Sequence, residues 1–270
     1  MNIIVLIKQV PATTDVKIDE KTGTLKREGV EAQVNPFDLY AVEEAVRLKE
    51  KFGGKITVIT MGPPQAEKAL RECLAMGCDE AVLVSDREFA GADTLATSYT
   101  LAQAIKKIGN FDIVICGKQA IDGDTAQVGP GVAEMLDISH IAYVKKIEDF
   151  VCDASAPTGL QRRIRVQRMM EDGYDVIESP LPCLLTVVKE INTPRFPSLR
   201  GMMFSKKAEI KHFTSKIIEA DKTKLGIAGS PTNVMKVFCP PPRSGGERIA
   251  GEPIEQAQKL VAKLKETKII

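Results

Sequence analysis

DIVICGKQAIDGDTAQVGP, residues 112–130, decides the fold: a β-branched apolar run ends at a cysteine and passes into a Gly- and Asp-punctuated loop with helix-forming residues behind it. A strand running through a turn into a helix is one unit of a parallel α/β sheet. The same grammar recurs upstream. NIIVLI (2–7), KITVIT (55–60) and EAVLVS (80–85) are short apolar runs, each followed by a segment of helical period. In FDLYAVEEAVRLKEKFGG, residues Phe37, Ala41, Ala45, Leu48 and Phe52 share one face, and Gly53 and Gly54 end the helix. PQAEKALRECLAMG and ADTLATSYTLAQAIKKIG repeat the scheme. Strands that are apolar throughout belong in a sheet covered on both faces. The predicted fold is therefore α/β: a doubly wound, mainly parallel, Rossmann-like sheet.

In the common strand order 3-2-1-4-5, the first and fourth strands send their connections to opposite faces, and ligands bind in the crevice between their carboxyl ends. Those exits are VPATT (10–14) and GKQAIDGDTAQVGP (117–130). The crossover rule permits other orders as well. Past residue 140, IAYVKKI, RRIRVQRMM, a DG turn at Asp172 and Gly173, YDVIE and LPCLLTVV predict an antiparallel hairpin completing the sheet. From 189 onward KEINTPRFPSLRGMMFSKK and VFCPPPRSGGER read as long irregular connections of a kind that reach for a partner. IEQAQKLVAKLKETKII reads as an amphipathic helical arm with Ile254, Ala257, Leu260, Val261 and Leu264 on one side. The expected division is an α/β domain over 1–188 and a loop and arm over 189–270.

Lys plus Arg number 37 and Asp plus Glu 36 among 270 residues, so no global field recruits nucleic acid or an anionic membrane surface. No run approaches the ~18 apolar residues of a membrane span. The six cysteines show no CxxC spacing, which points to a reducing, cytoplasmic setting. With only His140 and His212, neither a histidine metal site nor a histidine triad is expected.

Three segments are candidates for binding chemistry. The 117–130 loop has neither a P-loop lysine nor GxGxxG. Two readings fit it: a phosphate seat at a helix N-terminus, with Asp124 or Thr125 as cap, or an ordinary turn in which the aspartates only cap. Beside a phosphate, Asp122 and Asp124 are expected to cap or to meet sugar hydroxyls. In VNPFDLYAVEEA, Asn35 and Pro36 set an extended approach to a helix whose exposed backbone could read an adenine edge, although capping alone also explains them. In GADTLATS (91–98), Asp93, Thr94, Thr97 and Ser98 crowd polar groups into a helix's first turn, more than a cap needs.

Together these segments resemble the β subunit of electron transfer flavoproteins over essentially the whole chain. The resemblance rests on IKQVP (7–11), NPFD with AVEEAVRLKE (35–50), ITMGPPQ (59–65), GKQAIDGDTAQVGP and the terminal LVAKLKETKII. Val166, Arg168, Glu171, Asp172, Gly173, Ile177, Pro182, Leu184, Leu185 and Thr186 meet the family's hairpin signature, while Asp175 replaces its usual Glu or Gln. The resemblance implies a heterodimer with an FAD-carrying α subunit. It also implies an adenine nucleotide held by Leu6, Asn35, Pro36, Phe37, Asp38, Met61 and the loop Lys118, Gln119, Ala120, Ile121, Asp122, Gly123, Asp124, Thr125, Ala126, Gln127, Val128 and Gly129. PRFPSLRGMMFSKK resembles the family's recognition loop, with Leu199 anchoring an acyl-CoA dehydrogenase-type flavoenzyme. DGDTAQVGP and GADTLATS resemble members of the electron-bifurcating kind, in which the nucleotide is FAD, NADH is the hydride donor and ferredoxin or flavodoxin takes one electron. Asp93, Thr94 and Thr97 would then face FAD or the nicotinamide nucleotide. The alternative is the kind with structural AMP.

Overall fold

A computed structural model describes residues 1–12, 32–153, 161–235 and 245–270. Thr13 and Thr14 of the VPATT exit and most of VFCPPPRSGGER lie outside the described residues. The chain runs from β1 (Asn2–Leu6) through the antiparallel pair β2 (Gln9–Pro11) and β3 (Ala32–Val34) into α1 (Pro36–Phe52). Then β4 (Lys55–Met61) leads to α2 (Glu67–Met76), β5 (Glu80–Val84) to α3 (Thr94–Ile108), and β6 (Ile113–Gly117) to α4 (Val128–Leu136). The second half supplies β7 (Ser139–Asp153), β8 (Gln161–Met170), β9 (Gly173–Pro180), β10 (Cys183–Val187), α5 (Leu199–Lys207), β11 (Ile210–Phe213) and α6 (Pro253–Glu266).

The main sheet has the order β11-β5-β4-β1-β6-β10-β7-β8-β9. Its β5-β4-β1-β6 core is the expected 3-2-1-4 arrangement, with every pair parallel. Side chains alternate across it: Ile3, Val5 and Ile7 enter the layer under α1 and α2, while Ile4 and Leu6 enter the layer under α3 and α4. Each buried aliphatic contributes about 1.5–3 kcal/mol relative to exposure, which is why these strands carry no polar face.

Two expectations need correction. LPCLLTVV does not continue the antiparallel hairpin; its strand β10 is inserted parallel between β6 and β7, outside the β7-β8-β9 meander. All five of its residues are buried, as a central strand requires and a meander edge does not. Nor is the stretch after 189 irregular throughout. Met202 and Met203 lie in α5, packed on α2, and β11 adds a parallel edge strand to β5. The terminal arm forms α6 as expected, yet none of its residues is buried.

Two glycines fix the depth of α4. A Cβ at Gly129 would lie 2.6 Å from Thr186 Cγ2 and 3.0 Å from Cys116 Sγ, and Gly131 faces Ser98 of α3 at similarly close range. Without side chains there, α4 sits down on β6, β10 and α3.

Candidate crevice at the carboxyl ends of β1 and β6

The chain leaves β1 toward α1 on one face and leaves β6 toward α4 on the other, so the ends of these neighbouring strands diverge and open a crevice. Two side chains at the start of α1 hold its walls. Asp38 is buried, and its Oδ2 accepts the Lys8 N–H at 2.8 Å while Oδ1 accepts the Gly117 N–H at 3.0 Å. One carboxylate thus ties both strand exits to one helix. Burial pushes its pKa up to about 7 against the N–H groups of Lys8 and Gly117, the Asn35 amide and the Lys8 charge. Gly117 permits the approach, since a Cβ there would lie 2.6 Å from Asp38 Oδ1 and from Phe37.

Asn35 stands at the N-cap position but caps nothing. Its buried amide donates to Gln119 O at 2.8 Å and accepts the Ile121 N–H at 3.1 Å, while its own N–H donates to Lys8 O at 2.8 Å. It acts as a piece of backbone pairing with the loop. The family resemblance implies that Asn35 and Asp38 lie at the ligand; here their side chains are engaged in holding the strand exits and the loop that would meet it. Pro36 and Phe37 are half-buried, and the Lys118 ammonium lies 5.0 Å from the centre of the Phe37 ring. Leu6 is buried in the α3–α4 layer, and Met61 is half-buried at the end of β4.

In the loop, Lys8 Nζ pairs with Asp122 Oδ1 at 2.7 Å, the Gln119 side chain donates to Asp124, and the Asp124 N–H donates to Ala120 O at 2.9 Å. Neither Asp124 nor Thr125 caps a helix, because the left-handed backbone at Asp124 (φ 53°) and Ala126 (φ 54°) postpones the helix start to Val128. The α4 N-terminus has no side-chain cap, and among the described residues no partner meets the Val128 and Gly129 N–H groups. Ala126 in a left-handed conformation followed by Gln127 in a right-handed one draws successive N–H groups into a concavity suited to an anion. This end of α4 also carries the positive pole of the helix. Gly123 is exposed, with no atom within 4 Å of where a Cβ would stand.

The α3 N-terminus differs. Asp93 Oδ1 accepts the Leu95 and Ala96 N–H groups at 3.0 and 3.1 Å, and Oδ2 accepts the Thr232 N–H and hydroxyl at 3.1 and 2.8 Å. Burial alone would raise its pKa, but these donors outweigh it and hold the carboxyl below its usual range. Asp93 is saturated, joining α3 to the 230–232 segment. Thr94 reaches the other helix start, its hydroxyl donating to Gln127 Oε1 at 3.0 Å, and Thr97 is half-buried one turn in. Leu199 stands apart on α5 and is 78% exposed.

The crevice combines one open helix N-terminus, a concave run of amides, two lysines and a loop pinned from below, a donor set for a phosphate group. A family model described as an electron transfer flavoprotein domain matches residues 22–217. The chain is 51% identical over 271 residues, all of both chains, to a protein of Thermoanaerobacterium thermosaccharolyticum named electron transfer flavoprotein subunit beta. It is 50% identical over 274 residues, again all of both chains, to the caffeyl-CoA reductase-Etf complex subunit CarD of Acetobacterium woodii. Protein FixA of Azotobacter vinelandii is 45% identical over 272 residues, covering 98% of this chain and 94% of that one.

Proposed function

The chain belongs to the electron transfer flavoprotein family, and from that membership we propose that it is the β subunit of a heterodimer in which it holds FAD in the β1–β6 crevice. The observation that carries the reading is the uncapped N-terminus of α4 behind the open backbone at Gly123. There the N–H groups of Val128 and Gly129 would receive the diphosphate, and no side chain bars its approach to residue 123. Lys118 adds positive charge at the mouth. Lys8 neutralises Asp122, and Gln119 engages Asp124, so the loop's carboxylates have partners other than a phosphate. Asn35 and Asp38 hold the crevice walls, and Thr94, through Gln127, ties the start of α3 to the seat.

Bound FAD would take hydride from NADH and release electrons singly, one to ferredoxin or flavodoxin and one through the α-subunit FAD to an acyl-CoA dehydrogenase-type partner. The protein's part is to bind, orient and tune, so no acid or base residue is assigned. The name of the Acetobacterium relative, which places it in a caffeyl-CoA reductase complex, supports a partner acting on acyl-CoA substrates. Leu199 on α5 is assigned to that partner, and the bare apolar side of α6 to an arm lying on the α subunit.

One observation favours a second reading, in which structural AMP fills the crevice and only the α-subunit flavin is redox-active. Asp93 closes the α3 N-terminus, so of the α3 and α4 starts only that of α4 is open, enough for a single phosphate. Nucleotide analysis of the purified αβ complex separates the two. Two FAD and no AMP, with flavin bleaching on NADH, is expected; one FAD and one AMP would establish the second reading instead.

A further inference from the structure

The segment before α5 is fastened to α1 residue by residue. Asn192 Nδ2 donates to Tyr40 O and to Glu44 Oε2, both at 3.0 Å, and Arg47 donates to Thr193 O at 3.5 Å. Arg195 then grips two carboxylates on one face of α1, two turns apart: its backbone N–H and Nε donate to Glu43 Oε2 at 3.1 and 2.8 Å, and its fork reaches Glu50 at 2.6 and 3.0 Å. Glu43 is 2% exposed. The very next residue, Phe196, is 93% exposed, and Leu199 follows at 78%. Five residues on, the chain is fixed again: Gly201 packs so closely on Ala75 O of α2 that no Cβ would fit, and Arg71 of α2 donates to Ser205 O.

Large apolar side chains bared between two rigid anchors are ordered before a partner arrives, which lowers the entropy lost on docking. A segment that only needed to cross the surface would not require a buried carboxylate bound by a fork on one side and helix-to-helix contact on the other. Resting on the proposed function, we propose that Arg195 is a positioning residue for electron transfer: clamped by Glu43 and Glu50, it fixes the Phe196–Leu199 shelf in the orientation that the acceptor flavoenzyme engages.

The test uses the αβ complex with its acceptor dehydrogenase. Arg195→Gln should raise the KM for the dehydrogenase roughly tenfold, as expected when a few interface side chains must be ordered on binding, with kcat and bound flavin unchanged. Glu50→Gln, at an exposed position, should raise it less, and Arg195→Lys should fall between wild type and Arg195→Gln. Leu199→Ala added to Arg195→Gln should raise KM by less than it does in wild type, because the two act through one shelf. An unchanged KM in both Arg195→Gln and Glu50→Gln overturns the proposal, and so does a loss of flavin and kcat together with KM, which would mark the clamp as general scaffolding. Failure of the wild-type complex to reduce any such dehydrogenase would instead refute the functional reading on which the proposal rests.

Discussion

Replacing Asp38 by Asn keeps the shape of the group that joins β1, α1 and β6 but removes its titration. The Asp38 carboxyl is buried, with its pKa pushed to about 7 from 3.8. A folded pKa above the unfolded one means that the folded state binds the proton more tightly. Its contribution to stability is therefore complete below about 3.8 and is lost as pH rises through about 7. Between pH 5 and pH 8 the wild type should lose roughly 2–3 kcal/mol that the variant does not, from about two pKa units at 1.36 kcal/mol each. The variant bears a separate cost at both pH values. Its Nδ2 group must face the N–H of either Lys8 or Gly117, leaving one buried donor unpaired at about 1–3 kcal/mol. Urea unfolding of both proteins at pH 5 and pH 8, at one protein concentration, should show the variant far below wild type at pH 5 and much closer at pH 8. A gap that is equal at both pH values, or wider at pH 8, would refute the argument that burial dominates this carboxyl.

Asn35→Ala removes the bonds to Gln119 O and Ile121 N, so the loop should come loose while α1, which Asn35 does not cap, persists. Nucleotide affinity should fall about tenfold or more, measured by equilibrium dialysis. Gly129→Val drives methyl groups into Thr186 and Cys116 and should cost about 1–3 kcal/mol in thermal unfolding; a neutral result would mean that α4 can lift off the sheet. Gly123→Val meets open space in the protein itself, so stability should hold within about 0.5 kcal/mol while nucleotide retention drops. Unchanged retention would place the phosphate elsewhere.

The order of the first four parallel strands was legible because each is an unbroken apolar run with a helix behind it, a pattern set by burial on both faces. The same physics concealed β10. A short run such as CLLTV is equally apolar in any central strand, and its parallel insertion beside β6 depends on partners about seventy residues away in sequence. At the site, the loop and NPFD stood out in the sequence as unusual, but the pairings of their side chains did not. Asn35 and Asp38 look like a cap and a first-turn acid, and only long-range pairing reveals that their side chains grip the neighbouring strand exits. Asp93 is the reverse case: its local capping role was visible, but its second pair of donors comes from Thr232, far along the chain.

The bare stripe on α6 has a consequence for how the protein is made. Ile254 is mostly exposed and Leu260 and Val261 nearly half exposed on a helix with no buried residue, so a copy synthesised without its counterpart would show proteases and chaperones an apolar, easily frayed tail. If the proposed α subunit covers this stripe, surplus copies left without it would carry their own mark for removal.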